Sequence, residues 1–382
     1  MAKRVLLLTK FPIRDDPRFK RHVRALQGSD DFELMTASPG RGLEGGIEHF
    51  EFDGNAEFLP RSATTVAALV TRAYSRVLKR SPLYLSIRER VLPARDSFDA
   101  LLCSDLDLVP VSLELAAGRE VFVDLREYYP QQLPEDIRWR LLVRPLLLHI
   151  LRTFQGRWTG SITVSPGLVD LYQENFGFRP VLVTNASAGR QPRPRPTSDP
   201  VRLVFSGSGN PNRGLEVTIA AAAELPSLVF DLVVLSMPHH MKYRAKLEAL
   251  AGQTSNVRVL PPVPAGELPT LHDQYDVGLC TFPVHSPQLN YGLPNKMFDY
   301  IQSGLAIVAG PGVHMASLVE EYEMGPVVDR FEEVSIRSAL MELAPSRVDE
   351  WKSNTCAAAG DLDAEPSAER LRQLLRGGVE SS

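Results

Sequence analysis

The sequence predicts an α/β fold of two doubly wound parallel-sheet domains facing a cleft. Two observations carry that expectation. Short apolar runs alternate with helical patterns along both halves of the chain, and such alternation builds parallel sheet with helices on both faces. Between the halves, residues 186–200 (Ala-Ser-Ala-Gly-Arg-Gln-Pro-Arg-Pro-Arg-Pro-Thr-Ser-Asp-Pro) are rich in proline and small polar residues, a composition that packs neither as a helix nor as a central strand. The 382 residues suffice for two such domains. The expected organisation is 1–185 for the first domain, 186–200 for a linker stiffened by Pro192, Pro194 and Pro196, 201–365 for the second domain, and 366–382 for a C-terminal helix and tail packing back on the first.

Each element follows from its local pattern. Residues 5–9 form an apolar run, hence a strand; 17–27 is a basic helix with Phe19, Val23 and Leu26 at helical spacing. Segments 32–36, 100–103 and 120–124 are further strands, the last two separated by a helix around 109–117, and 161–164 and 181–184 continue the alternation. In the second half, strand 201–205 leads to a helix from about Arg213, strand 230–235 to helix 239–250, and strand 257–260 to helix 266–274. Strand 277–281 leads into residues 289–309, which read as loop, helix and buried strand, with Pro294 in the first helical turn and Gly304 ending the helix. Segments 316–322, 334–343 and 368–375 are further helices. Two doubly wound domains place a cleft between two sets of carboxyl-edge loops, the default ligand site.

Bulk properties exclude several functions. A net charge of −4 argues against a nucleic-acid partner. The three cysteines, Cys103, Cys280 and Cys356, are widely spaced and match no disulfide framework or zinc pattern, which fits a reducing cytoplasm. His239-His240 reads as a surface loop. The N-terminal apolar run is too short for a signal peptide, and no stretch approaches the ~20 apolar residues of a membrane span.

Two segments carry chemistry. Lys296 and Asp299 lie three apart, on one face of a helix near its start. A cation and a carboxylate there suit a nucleotide diphosphate, with Lys296 toward phosphate and Asp299 toward a ribose hydroxyl; on spacing alone the pair reads equally as an ordinary surface pair. In the other segment, Phe205-Ser-Gly-Ser-Gly-Asn-Pro-Asn-Arg-Gly-Leu-Glu216, Gly207 and Gly209 permit close backbone approach to a ligand, and Arg213 is positioned to share two phosphates with Lys296. Asn212 stands where a dinucleotide fingerprint needs glycine, so a hydride-transferring cofactor is disfavoured.

These segments resemble retaining glycosyltransferases of the GT-B fold, close to the large family 4 (group 1) enzymes. The resemblance rests on Pro294-Asn-Lys-Met-Phe-Asp-Tyr-Ile-Gln-Ser-Gly304 and on Gly207 to Arg213-Gly214. In the first half it extends to Asp16-Pro-Arg-Phe-Lys-Arg-His-Val-Arg-Ala-Leu26, Ser104-Asp-Leu-Asp-Leu-Val-Pro110 and Val123-Asp-Leu-Arg-Glu-Tyr-Tyr-Pro130. It implies two Rossmann-like domains, acceptor-binding then donor-binding. It implies that Arg213 and Lys296 bind the diphosphate, that Asp299 holds the ribose, and that Gly207, Gly209, Asn290, Tyr291, Gly292 and Leu293 line the donor. Arg14, Asp16, Asp105 and Arg126 fall on the acceptor side, and Glu127 or Asp124 orients the acceptor hydroxyl. Three positions depart from the family pattern: Asp299 replaces the usual glutamate, Tyr291 stands where many relatives have a glutamate, and Arg126 replaces a histidine.

The implied reaction moves a sugar from a nucleotide sugar to a glycan or glycolipid, in polysaccharide or glycoconjugate synthesis. The cations stabilise charge developing on the leaving diphosphate, and the leaving phosphate itself helps deprotonate the acceptor. No metal or other cofactor is expected, because no Asp-x-Asp stands in a donor-domain loop where a metal–diphosphate bridge would need it, and Asp105-x-Asp107 lies in the other half. Segments 61–95 and 138–158 interleave arginines with apolar residues, a pattern that lies on an anionic cytoplasmic membrane face or that leaves the leucines in the core and the arginines in water. Two other readings stay open: a UDP-sugar epimerase of the same fold, and a catalytically silent scaffold.

Overall fold

Val5, Leu6, Leu7 and Leu8 are each wholly buried, as a strand covered by helices on both faces must be. The structure, a computed structural model, describes residues 2–377; residues 378–382 of the expected tail lie outside them. The first sheet comprises β1 (Lys3–Leu8), β2 (Phe32–Pro39), β3 (Glu48–Phe52), β4 (Ala100–Ser104), β5 (Glu120–Leu125), β6 (Gly160–Thr163) and β7 (Val181–Leu182), in the order β3-β2-β1-β4-β5-β6-β7. The second comprises β8 (Val201–Ser208), β9 (Leu228–Leu235), β10 (Val257–Leu260), β11 (Val277–Cys280) and β12 (Ala306–Ala309), in the order β10-β9-β8-β11-β12. Every pair of neighbouring strands is parallel. In each sheet the strand order reverses beside the first strand, at β1/β4 and at β8/β11. The loops leaving those strand ends diverge and open a crevice, the switch-point position where open α/β sheets bind ligands.

The chain forms two compact units. Of the described residues, one contains 2–184 and 367–377; the other is Asn185–Pro366. The C-terminal helix Glu365–Leu375 places Leu371, Leu374 and Leu375 in the apolar core of the first unit with Val5, Phe19 and Phe122. Lys3 Nζ donates to the Leu375 carbonyl at 2.6 Å and Arg372 Nη1 to that of Ala25 at 2.9 Å, satisfying carbonyls at two helix ends. Residues 186–200 lie against the second unit. Ala186 is buried in its core, and both the amide and the hydroxyl of Thr197 donate to Asp349.

Several boundaries differ from the sequence pattern. β8 runs to Ser208 because Ser206, Gly207 and Ser208 still pair with β9, so the glycine-rich segment begins inside the sheet. Arg213 lies in a single turn, Pro211–Arg213, and the helix proper is Leu215–Ala223. The helix bearing Lys296 is Asn295–Ile301; it ends before Gly304, which takes φ +66° in the turn into β12. β3 was not marked by an apolar run, because an edge strand of sequence Glu-His-Phe-Glu-Phe buries little besides Phe52.

Candidate functional site

The carboxyl edge of the second sheet brings together residues about 90 positions apart. Lys296 sends its side chain back over the end of β8, where its Nζ lies 3.4 Å from the centre of the Phe205 ring. That nitrogen is shut from solvent and has no hydrogen-bond partner among the described residues. Gly207, at φ +148°, makes this possible: a Cβ there would stand 3.0 Å from Nζ, and an L side chain resists that backbone conformation. The Arg213 guanidinium lies 5.0 Å from the Phe282 ring, at the start of the loop after β11. An aromatic face steadies a cation without occupying its N–H donors. Burial and the neighbouring Arg213 charge hold the Lys296 pKa well below that of an ordinary lysine. The structure thus brings Arg213 and Lys296 close enough to repel each other, and the Asp299 carboxylate offsets only part of that effect.

Asp299, on the same helix as Lys296, accepts a hydrogen bond from Ser187 Oγ at 2.5 Å. Asn290 and Tyr291 are half-buried at the end of a short helix, Pro287–Tyr291, started by Ser286 Oγ accepting from Leu289 N. The Tyr291 ring centre is 5.6 Å from that of His314. At Gly292 a Cβ would meet the Gln288 carbonyl at 2.4 Å, so the turn closes only over glycine. The Leu293 side chain enters the core, leaving its backbone at the site, with the carbonyl accepting from Asn185 Nδ2 at 3.3 Å. Gly209 is explained by packing: a Cβ there would come within 2.5 Å of Ser236 Oγ. The Lys296 helix has only seven residues, a short column of peptide dipoles, so side-chain cations carry most of the positive charge expected there.

Beneath this edge lies a polar cluster that the sequence pattern did not reveal. Ser206 N donates to Tyr300 Oη at 2.9 Å, and Ser206 Oγ shares a hydrogen bond with His272 Nε2 at 2.9 Å. Burial, with the Arg190 charge nearby, lowers the His272 pKa to about 4. Tyr300 packs flat on Gly278, where any Cβ would overlap its ring.

At the carboxyl edge of the first sheet most charges are paired. Asp124 is wholly buried and accepts from Arg18 Nε and Nη2 at 2.7 Å each and from His22 Nε2 at 2.9 Å. Burial alone would raise its pKa, but the Arg18 charge and the His22 bond outweigh this and hold it far below the carboxylate range. A carboxylate so enclosed holds the helix of Arg18 and His22 against the sheet. Asp16 is likewise structural. It caps the helix Pro17–Gln27 by accepting from the amides of Arg18 and Phe19, both at 3.1 Å, and it also accepts from Arg126 Nη2. Arg126 therefore bridges Asp16 and, at 3.7 Å, Asp124. Arg14 donates from Nε to the Gly42 carbonyl.

Asp105 and Glu127 are placed differently. Asp105 has φ +92°, a strained conformation for a residue with a side chain. Its Oδ1 accepts from Tyr129 Oη at 2.6 Å, while its buried Oδ2 has no hydrogen-bond partner. Glu127 is half-buried, and burial together with the Asp105 charge raises its pKa. Lys10, just past β1, reaches Asp107 at 2.5 Å and Asp105 at 3.8 Å. Lys10 and Tyr129 escaped the sequence reading: Lys10 stands outside the quoted segments, and Tyr129, though within 123–130, carries no signal of its own there.

No family model and no curated protein sequence matches the chain. Solved structures do. Sucrose-phosphate synthase from Thermosynechococcus elongatus superposes with a TM-score of 0.71 at 13% identity, covering 98% of this chain and 99% of that one. HepE from Anabaena, in complex with UDP and glucose, gives 0.72 at 14% identity over 98% and 100%. WaaG, a glycosyltransferase involved in lipopolysaccharide biosynthesis, gives 0.69 at 14% identity over 98% and 100%. Likeness across nearly the whole of both chains, together with this chain's two doubly wound parallel sheets, identifies the architecture: this protein has the GT-B fold of these glycosyltransferases.

Proposed function

We propose that this protein is a retaining, metal-independent glycosyltransferase that moves a sugar from a nucleotide-sugar donor to a glycan or lipid-linked glycan. One observation carries the reading: a buried ammonium without a partner, Lys296 Nζ, beside a second cation, Arg213, at the switch point of the second sheet. A buried cation is costly unless an anion compensates it, and a diphosphate supplies that anion. As the glycosyl–phosphate bond breaks, charge grows on the leaving diphosphate, and these cations stabilise it more in the transition state than in the ground state. Asp299 takes the ribose, and the backbone of 290–293 faces the sugar. The UDP and glucose bound by HepE support a nucleotide-sugar donor. On the acceptor side, Glu127 and Asp105 Oδ2, which has Lys10 Nζ at 3.8 Å but accepts no hydrogen bond among the described residues, are the groups suited to accept from the incoming hydroxyl, and no side-chain nucleophile is invoked.

The acceptor's lipid carrier and a site on the inner face of the plasma membrane belong to the same proposal. No helix among the described residues is long and apolar enough to cross a membrane. Helix Ala63–Val70 packs against the turn Trp139–Val143, and together with adjoining residues they expose Val70, Ile137 and Leu141, each more than 60% accessible. Arg72, Arg76, Lys79, Arg80, Arg138 and Arg140 are exposed in and around these elements. Projecting aliphatics amid cations suit an anionic bilayer surface.

The deciding experiment is nucleoside-diphosphate release from a panel of UDP- and GDP-sugars in EDTA. Selective turnover abolished by Lys296→Ala supports the transferase; absence of both turnover and thermal stabilisation by any nucleotide overturns the donor site and favours a scaffold.

A further inference from the structure

Residues 185–190 run along the flank of the helix that carries Lys296 and Asp299. Asn185 Nδ2 donates to the Leu293 carbonyl just before the helix at 3.3 Å. Beyond its end, Arg190 N donates to Gln302 Oε1 at 3.0 Å and Arg190 Nη1 to Ser303 Oγ at 3.0 Å. Ala186 is buried in the same apolar cluster as Met297 and Ile301. Ser187 is thus held between anchors on either side, and from that position its Oγ donates to Asp299 Oδ1. Aspartate is one methylene shorter than glutamate, so it reaches a ligand over a narrower range of orientations and its direction matters more.

We infer that Ser187 is a positioning residue for the nucleotide: it fixes the rotation of the Asp299 carboxylate, so that the group already points toward the ribose hydroxyls when the donor arrives. This rests on the reading of Asp299 as the ribose ligand. A carboxylate oriented in advance does not lose rotational freedom on binding, which is where preorganisation improves affinity. The segment also supports the Leu293 carbonyl, so one strap aligns both the donor loop and the ribose group.

The test is discrimination between a ribonucleotide and its dideoxy analogue. Of UDP and GDP, the one bound more tightly by the wild type is titrated calorimetrically against its 2′,3′-dideoxy counterpart, with wild type, Ser187→Ala, Ser187→Thr and Asp299→Ala. Wild type should prefer the ribonucleotide, and Ser187→Ala should shrink that preference by about five- to tenfold, the usual worth of one intramolecular hydrogen bond. Ser187→Thr, which keeps the hydroxyl, should restore it. The ratio is read rather than the affinity because a general loosening of the unit weakens both ligands alike. If Asp299→Ala abolishes the preference while Ser187→Ala retains it, the inference fails and the ribose assignment stands. If Asp299→Ala retains it as well, or if neither diphosphate binds, the ribose assignment fails and takes the inference with it.

Discussion

Asp124 in the first unit and Lys296 in the second are both charged groups shut from solvent, and they differ in company. Asp124 has a bidentate arginine and a histidine within 2.9 Å. Lys296 Nζ has the face of Phe205 and a second cation, and no hydrogen-bond partner. A buried charge with its partners in place holds structure together; removing one partner strands the others. A buried charge without a partner destabilises the empty protein, and it makes sense where a ligand supplies the counter-charge. The comparison separates scaffold from site among buried charges at the carboxyl edges of the two sheets.

The largest effect should fall on the scaffold. Asp124→Ala leaves the Arg18 guanidinium buried and uncompensated, and should cost about 3–5 kcal/mol of unfolding free energy, read as a large drop in the urea midpoint. Retained stability would show that water reaches Arg18 and that the network is not structural. In the second unit the opposite pattern should hold. Lys296→Met should lower turnover by about 100- to 1,000-fold, as loss of one preorganised donor does elsewhere, while the thermal midpoint stays level or rises; a parallel loss of stability would end the contrast drawn here.

A smaller effect concerns His272. Its folded-state pKa of about 4 lies below the ordinary value of 6.5, so the unfolded chain binds more protons between those values. The stability from keeping this imidazole neutral is complete above pH 6.5 and is lost progressively as pH falls from 6.5 to 4, on the order of 2 kcal/mol by pH 5. His272→Gln should flatten the decline in thermal midpoint between pH 7 and pH 5; an unchanged slope would place the titration elsewhere. The smallest effect sharpens the account of Lys296. A bound diphosphate should raise its depressed pKa, so binding should take up a fraction of a proton and tighten as pH falls between the empty and bound pKa values. Calorimetry in buffers of different ionisation enthalpy measures that uptake, and a value of zero would mean the ammonium is already fully charged in the empty site.

Much of this was legible because it is local. Lys296 and Asp299 share a helix face by spacing alone, and β1, β4, β5 and β9 announce themselves as apolar runs bounded by turns. The pairings of Asp16 and Asp124 were not legible for the same reason: a carboxylate at a strand end or helix start looks identical whether it caps an amide, pairs with an arginine or faces a ligand. The partners that decide, Arg18 for Asp124 and Arg126 for Asp16, stand more than 100 residues away. Ser187 lay unnoticed in a stretch whose composition reads as linker, because its meaning comes from Asp299, 112 positions on.

The sequence by itself determined the two doubly wound sheets, the helix that presents Lys296 and Asp299, and the glycines that let the chain turn at strand ends, since periodicity and backbone preference act over a few residues. Only the tertiary structure decided which charges are compensated. That depends on which side chains from distant strands share one low-dielectric space, where a missing partner costs far more than it does in water.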